Sequence, residues 1–302
     1  MRGIIYLLIS TLLAALGWVA SKFVVNHMPG DLFLGIRFLL AALILLPFCF
    51  KRLLQLPWRQ TMTIFGVGVF LGLALQVWVH AVTISDSLSE GAFIMSLAMI
   101  IAPLVSWLLF QVKPNRSFWF ALPVSMLGMA LLTLSGGWQM EASQVYFLLA
   151  AALLSIHFVL NKNVASRLPA LLSICIQLFA VGLVGFVVAG YSEPAVIDYS
   201  FDLLFWFIIS TVLATSARYL LQTMGQFTVK LETAALIMIL EPVWTMLLSI
   251  TMLGEQLAWQ KLLGAGLIML SLVSYIKLSR REAKKAEAQR SCAAQLATQQ
   301  QS

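Results

Sequence analysis

Apolar residues run through most of this chain in stretches of about twenty, each ended by proline, glycine or charge. A bilayer core takes roughly 20 apolar residues per helix, and inside lipid a single segment can satisfy its own backbone hydrogen bonds only as a helix. The pattern predicts ten spanning helices, at 4–24, 31–50, 61–82, 88–110, 117–136, 144–163, 169–190, 203–224, 231–252 and 259–278. The first reads as a retained span and not a cleaved signal. One basic residue, Arg2, precedes it, and Trp18-Val19-Ala20 supplies no small-x-small cleavage pattern. The expected class is an all-α membrane protein whose main partner is the lipid bilayer.

The polar positions repeat. Lys22 and Pro29 recur 140 positions on as Lys162 and Pro169. Gln76, His80 and Glu90 align with Arg218, Gln222 and Glu232 at an offset of 142, and Pro103 aligns with Pro242 at 139. Each half then holds five spans, and an odd number inserts the second copy upside down relative to the first. Inverted repeats of this kind recur among alternating-access transporters. The expected organisation is a first repeat over 1–140, a second over 141–278 and a cytoplasmic tail over 279–302.

Composition agrees with burial in lipid. Mean hydropathy is +0.94, and 10% of residues are charged, against about 25% in soluble domains. The net charge of +7 follows the membrane, so nucleic acid is not an expected partner. One set of alternate loops collects Arg2, Lys51, Arg52, Arg59, Lys113, Arg116, Lys162, Arg167, Lys230 and the basic tail. The other set collects Asp31, Asp86, Glu90, Glu141, Glu193, Asp198, Asp202 and Glu255, with Lys261 its one basic member. The positive-inside rule then puts both termini in the cytoplasm. Cys49, Cys175 and Cys292 suggest no disulfide framework.

Polar groups inside spans carry the candidate chemistry. Pro103 and Pro242 stand within the fourth and ninth spans, and each removes a backbone donor there. They read as helix breaks lining a cavity, or as paired structural kinks. Gln76 with His80, and Arg218 with Gln222, are each four apart and so share a helical face. An arginine near mid-span costs about 2.5–3.5 kcal/mol to insert, which favours a cavity-facing place unless it snorkels. Gln76 and His80 suit either a solute site or interhelical hydrogen bonds. Glu241 at mid-span asks for a proton or a cation, with Arg218 and Lys22 the candidate partners. His157, one turn before Asn161, is the other proton-coupling candidate, since imidazole titrates near neutral pH. Its repeat mate is Gly17, beside Trp18. Lys22 and Arg37, near the outer ends of their helices, attract anions or snorkel.

The aromatics inside spans, Trp78, Trp107, Tyr219 and Trp244, include some that could stack on a ligand, though most are expected to pack or to sit in the interfacial belt. Gly68-xxx-Gly72 and Gly264 with Gly266 allow close helix approach, within the chain or in a homodimer. No phosphate-binding loop, Cys-x-x-Cys zinc spacing or GxSxG elbow is present, so neither an enzyme nor a metal or cofactor is expected.

Gly17-Trp18 followed by Lys22-Phe23 and Arg37-Phe38, then Glu241-Pro242-Val243, Gly254-Glu255 and Gly264-Ala265-Gly266, form an ordered series. In that series the chain resembles the EamA-type ten-helix members of the drug/metabolite transporter superfamily, over about residues 1–278. The resemblance implies two inverted five-helix bundles around a central cavity, moving small metabolites across the inner membrane. One departure stands out: the first half has Asn115-Arg116 where the family often carries Gly-Glu. The expected function is a secondary transporter for a small-molecule solute, exporting by alternating access. Trp18, Gln76, His80, Arg218 and Gln222 would contact the solute, and His157 or Glu241 would carry a coupled proton. An uncoupled exchanger and a non-transporting scaffold or receptor are the rival readings.

Overall fold

The structure is a computed structural model and describes residues 2–133, 141–191, 197–254, 259–260, 262–271, 273–275, 277–278 and 281–282. The boundary drawn at 140, Glu255 and nearly all of the tail lie outside the described residues.

Among the described residues the chain is helical, without strands. The helices are α1 (Arg2–Val25), α2 (Gly30–Leu54), α3 (Trp58–Ile84), α4 (Leu88–Phe110), α5 (Arg116–Thr133), α6 (Ala142–Asn163), α7 (Ala170–Ala189), α8 (Phe201–Thr211), α9 (Arg218–Thr228), α10 (Leu231–Met238), α11 (Glu241–Leu253) and α12 (Leu262–Tyr275). A π-helical segment, Val212–Ala217, joins α8 to α9. By length and composition eight segments can cross a membrane: α1, α2, α3, α4, α6 with its following turn, α7, α8–α9 and α10–α11. The 18-residue α5 and the shorter α12 stand where the fifth and tenth spans are expected.

Packing between the halves is reciprocal. The second helices α2 and α7 pair, α1 leans on α9 and α11, and α6 leans on α3 and α4. The fifth helices also meet, through Ser125 Oγ and Ser271 Oγ at 2.7 Å. Small residues make the closest approaches. A Cβ at Gly68 would fall 2.6 Å from Gln177 Cα, and one at Gly72 would fall 3.0 Å from Val184, so both glycines serve the α3–α7 contact inside this chain. Large apolar side chains point outward, Phe48 at 75% exposure among them, as a surface solvated by lipid requires.

Helix ends repeat as well. Pro29 and Pro169 precede α2 and α7, where a missing donor costs nothing. Helices α4 and α11 both close on a left-handed residue, Gln111 at φ 56° and Gly254 at φ 68°. Lys22 Nζ donates to the carbonyls of Val82 and Ser85 at the end of α3. Lys162 Nζ does the same for Gln226 and Phe227 at the end of α9. An ammonium there meets unpaired carbonyls and the negative pole of the helix. That explains the repeated lysine without an anionic ligand or snorkelling.

The two prolines differ. Helix α4 runs through Pro103 without interruption. The ninth span is broken: α10 ends at Met238, Ile239 and Leu240 form a turn, and Pro242 enters the first turn of α11. Proline is tolerated at a helix start because those amides lack intrahelical partners. The break expected at both prolines is thus found at Pro242 alone.

Candidate functional site

Where the halves meet, a cavity is lined by α1, α2, α3, α4, α6, the π segment, α9, α10 and α11. The break after α10 brings Glu241 to it. Because Glu241 opens α11, the positive helix end favours its carboxylate. Trp18 Nε1 donates to Glu241 Oε1 at 2.8 Å, and Arg218 Nη2 lies 3.5 Å from Glu241 Oε2. The acid is therefore held by an indole and a guanidinium from two other helices. The Arg218 guanidinium also stacks over the Tyr219 ring, 4.2 Å from its centroid.

A π segment immediately precedes Arg218. Thr215 Oγ1 and Ser216 Oγ donate to carbonyls five residues back, those of Ser210 and Thr211. Such hydroxyl bonds help hold the wider turn, and π segments gather at functional sites. Nothing in a 3.6-residue periodicity announces this one.

Arg37 also lines the cavity and is buried. Its Nε donates to Thr215 Oγ1, its Nη1 to Ser21 Oγ at 2.9 Å and its Nη2 to the Ala214 carbonyl at 3.5 Å. Phe33 and Phe38 flank the guanidinium, with centroids 5.2 and 5.4 Å away. It does not snorkel. Gly17 makes room for the π segment: a Cβ there would sit 3.0 Å from the Ala214 Cβ and at an ordinary 3.6 Å from Arg37 Nη2.

In the second half a neutral chain replaces this charge. His157 Nε2 lies 2.9 Å from Gln177 Oε1, and Gln177 Nε2 donates to Asn161 Oδ1 at 2.9 Å. Asn161 Nδ2 donates to Gln226 Oε1 at 2.7 Å, and Gln226 Nε2 to the Phe158 carbonyl at 2.7 Å. A backbone carbonyl can only accept, so Gln226 must present its NH2 group there. Each amide in turn is then oriented, and His157 must donate from Nε2. Its Nδ1 remains outside the chain.

The structure brings Trp18, His157, Arg218, Gln222, Glu241 and Pro242 together around one cavity. Gln76 and His80 are elsewhere. Trp78 and Leu75 are the cavity-facing residues of α3, and two residues along a helix is a turn of about 200°. Gln76 and His80 instead border a separate hollow with Pro29, Asp31, Thr83 and Tyr146, the His80 ring edge-on to Tyr146 at 4.6 Å. Pro103 also borders a different hollow, with Lys113, Lys162, Lys230 and Glu232.

Sequence reasoning missed Arg37 and the methionines Met95 and Met99 as cavity wall, and Gln177 as the support of His157, while Trp78 and Tyr219 are the two of the four named aromatics that line it. The repeat offset held the signal for Gln177, which stands 140 positions after Arg37. Trp18 and Trp78 meet edge-on at 5.1 Å and close one side of the cavity.

Two atoms in this wall are unmet among the described residues: Arg218 Nε and Gln222 Oε1. Among the described residues no cluster of His, Cys, Asp or Glu could hold a metal ion.

The fold is similar to that of a protein solved by crystallography, with a TM-score of 0.75 at 16% identity over 92% of this chain and 98% of that one. No curated protein matches the chain. The model of the EamA-like transporter family matches twice, over residues 1–134 and 142–276, one match to each half. Two matches cover nearly every helix described above, and by them the chain belongs to the EamA-like transporter family.

Proposed function

We propose that this protein is a secondary transporter of the inner membrane that carries a small solute through the central cavity by alternating access. In this reading ten spans form two inverted five-helix repeats with both termini cytoplasmic. The reciprocal packing of α1 and α6, the matched lysine caps and the division of basic and acidic loops support it. One observation carries the functional part: Arg218, Glu241 and Trp18 converge from three helices on a cavity at the junction of the halves, beside a broken helix. Broken helices facing a midplane site are a recurrent feature of secondary transporters. The aromatic and methionine wall suits an apolar solute body, and Arg218 with Gln222 suits its polar end.

Coupling, in this proposal, runs through Glu241 or His157. Among the described residues Glu241 is the one carboxylate in the wall, and a proton there would release Arg218. Reconstituted protein should show counterflow of its solute, and Glu241→Gln should retain counterflow while losing accumulation driven by an imposed proton gradient. Accumulation insensitive to the gradient in the unmodified protein would favour uncoupled exchange. Absence of counterflow for every solute in a metabolite extract would sink the transport reading.

A further inference from the structure

We infer that the hollow between the ends of α4 and α6 and the start of α10 binds a phosphate group, held by Lys113, Lys162 and Lys230. This goes beyond the transport reading and draws on neither its solute nor its coupling.

The hollow has a volume of about 330 Å³, at the lower end of the range for small-ligand sites, roughly 300–1,000 Å³. Its lysines come from three segments: the α4–α5 loop, the last turn of α6 and the residue that opens α10. Lys113 belongs to the first half and the other two to the second. Lys113 and Lys230 are exposed, and neither ammonium has a hydrogen-bond or ion-pair partner among the described residues. Lys162 Nζ gives two of its three N–H groups to the carbonyls of Gln226 and Phe227 and keeps one. No side chain caps the first turn of α10, where Leu231 and Glu232 line the hollow. Its free amides and positive helix end therefore act in the same direction as the ammoniums.

The acid in this wall is Glu232. Its Oε2 accepts from Asn115 Nδ2 at 2.9 Å and from the Tyr275 hydroxyl at 3.4 Å, and the charges of Lys230 and Glu282 both act on it. Three ammoniums against one carboxylate leave an excess of two positive charges among the lining residues. A phosphate carrying one or two negative charges reduces that excess without overshooting. Its several oxygens can also accept charge-assisted bonds from donors on three segments at once, where a carboxylate has only two. The positive-inside rule explains the sign of these residues and not their convergence. On the opposite face the repeat differs: Lys22 matches Lys162, but Leu88 matches Lys230 at an offset of 142, and the charge of Asp86 acts on Lys22. Anionic headgroups settle in basic pockets between helices on the cytoplasmic side, the face this hollow occupies in the proposed topology, and free phosphate carries the same group.

The test uses purified full-length protein in nonionic detergent, with thermal shift and native mass spectrometry as readouts. Phosphatidic acid, phosphatidylcholine, oleate and inorganic phosphate are titrated in turn. Phosphatidic acid should bind at least about tenfold more tightly than phosphatidylcholine or oleate, as hydrogen bonds to charged groups imply. Lys113→Gln combined with Lys230→Gln should erase that preference, and both side chains are exposed, so the fold should tolerate the change. Lys51→Gln combined with Arg52→Gln lowers the charge equally at the end of α2, outside the hollow, and should leave the preference in place. Binding of phosphatidic acid without inorganic phosphate supports the site and assigns a lipid headgroup. Binding of inorganic phosphate that the Lys113, Lys230 variant loses supports the site and assigns free phosphate. A preference kept in that variant, or lost as fully in the Lys51, Arg52 variant, overturns the inference. Equal binding of phosphatidic acid and either other lipid, absent binding included, overturns it too when inorganic phosphate has no effect. Counterflow takes no part in these readouts, so failure of the transport reading would leave them unchanged.

Discussion

Arg37 and Gln177 stand 140 positions apart in α2 and α7, and each reaches a polar residue on the first helix of its own half. Arg37 donates to Ser21 and Gln177 to Asn161, at 2.9 Å in both cases, and Ser21 and Asn161 are themselves 140 apart. One framework therefore carries two chemistries. In the first half a guanidinium lies beside Gly17, while in the second an imidazole, His157, grows from the position that matches Gly17. Geometry has been kept across the repeat and charge has not. At this pair of repeat positions the cavity wall therefore holds a guanidinium from the first half and an imidazole from the second.

Exchanging the two chemistries is the most severe way to break this comparison. Gln177→Arg would bury a cation with no acid near it and take the acceptor from His157. The expected loss is about 3–5 kcal/mol, read as a collapse of the melting temperature in detergent. The reverse exchange, Arg37→Gln, should cost less, about 1.5–3 kcal/mol, because it removes a charge instead of adding one. Equal stabilities for both variants would show that the two sites are interchangeable.

A milder pair of changes sharpens the contrast by probing the neutral chain as a unit. Asn161→Leu and Gln226→Leu should each cost about 1–3 kcal/mol by stranding a buried amide. Together they should cost less than their sum, because each single change strands the amide that the other removes. Strict additivity in a double-mutant cycle would mean that the chain does not act as one network.

The smallest effect belongs to the feature the halves share most closely. Lys22→Met and Lys162→Met each remove a cation from the end of a third helix, and each should cost about 0.3–1 kcal/mol. The two losses should match. A large difference would mean that one lysine does more than close its helix.

The eight segments able to cross a membrane were legible because lipid imposes a length and a hydropathy that the chain must obey. Trp18, Arg218, Gln222, His157 and Glu241 were legible as polar or bulky exceptions within those spans, and they share one cavity. Gln76 and His80 look equivalent to Arg218 and Gln222 by offset and spacing. Spacing says which residues share a helix face, not which way that face points. Packing settles the direction, here by turning Trp78 inward. Pro103 and Pro242 show a similar limit. Each removes one backbone donor, but whether the helix parts there depends on what surrounds it.

Because a main-chain oxygen anchors it, the row of amides running back from Phe158 can be oriented in one sense only. A second proton on the His157 ring would land on Nδ1, the nitrogen that takes no part in that row. The imidazole can therefore become cationic without unzipping anything behind it. Acquiring charge ordinarily loosens the surroundings of a residue. At this wall a proton would change the charge of the ring and leave the row of amides as it stands.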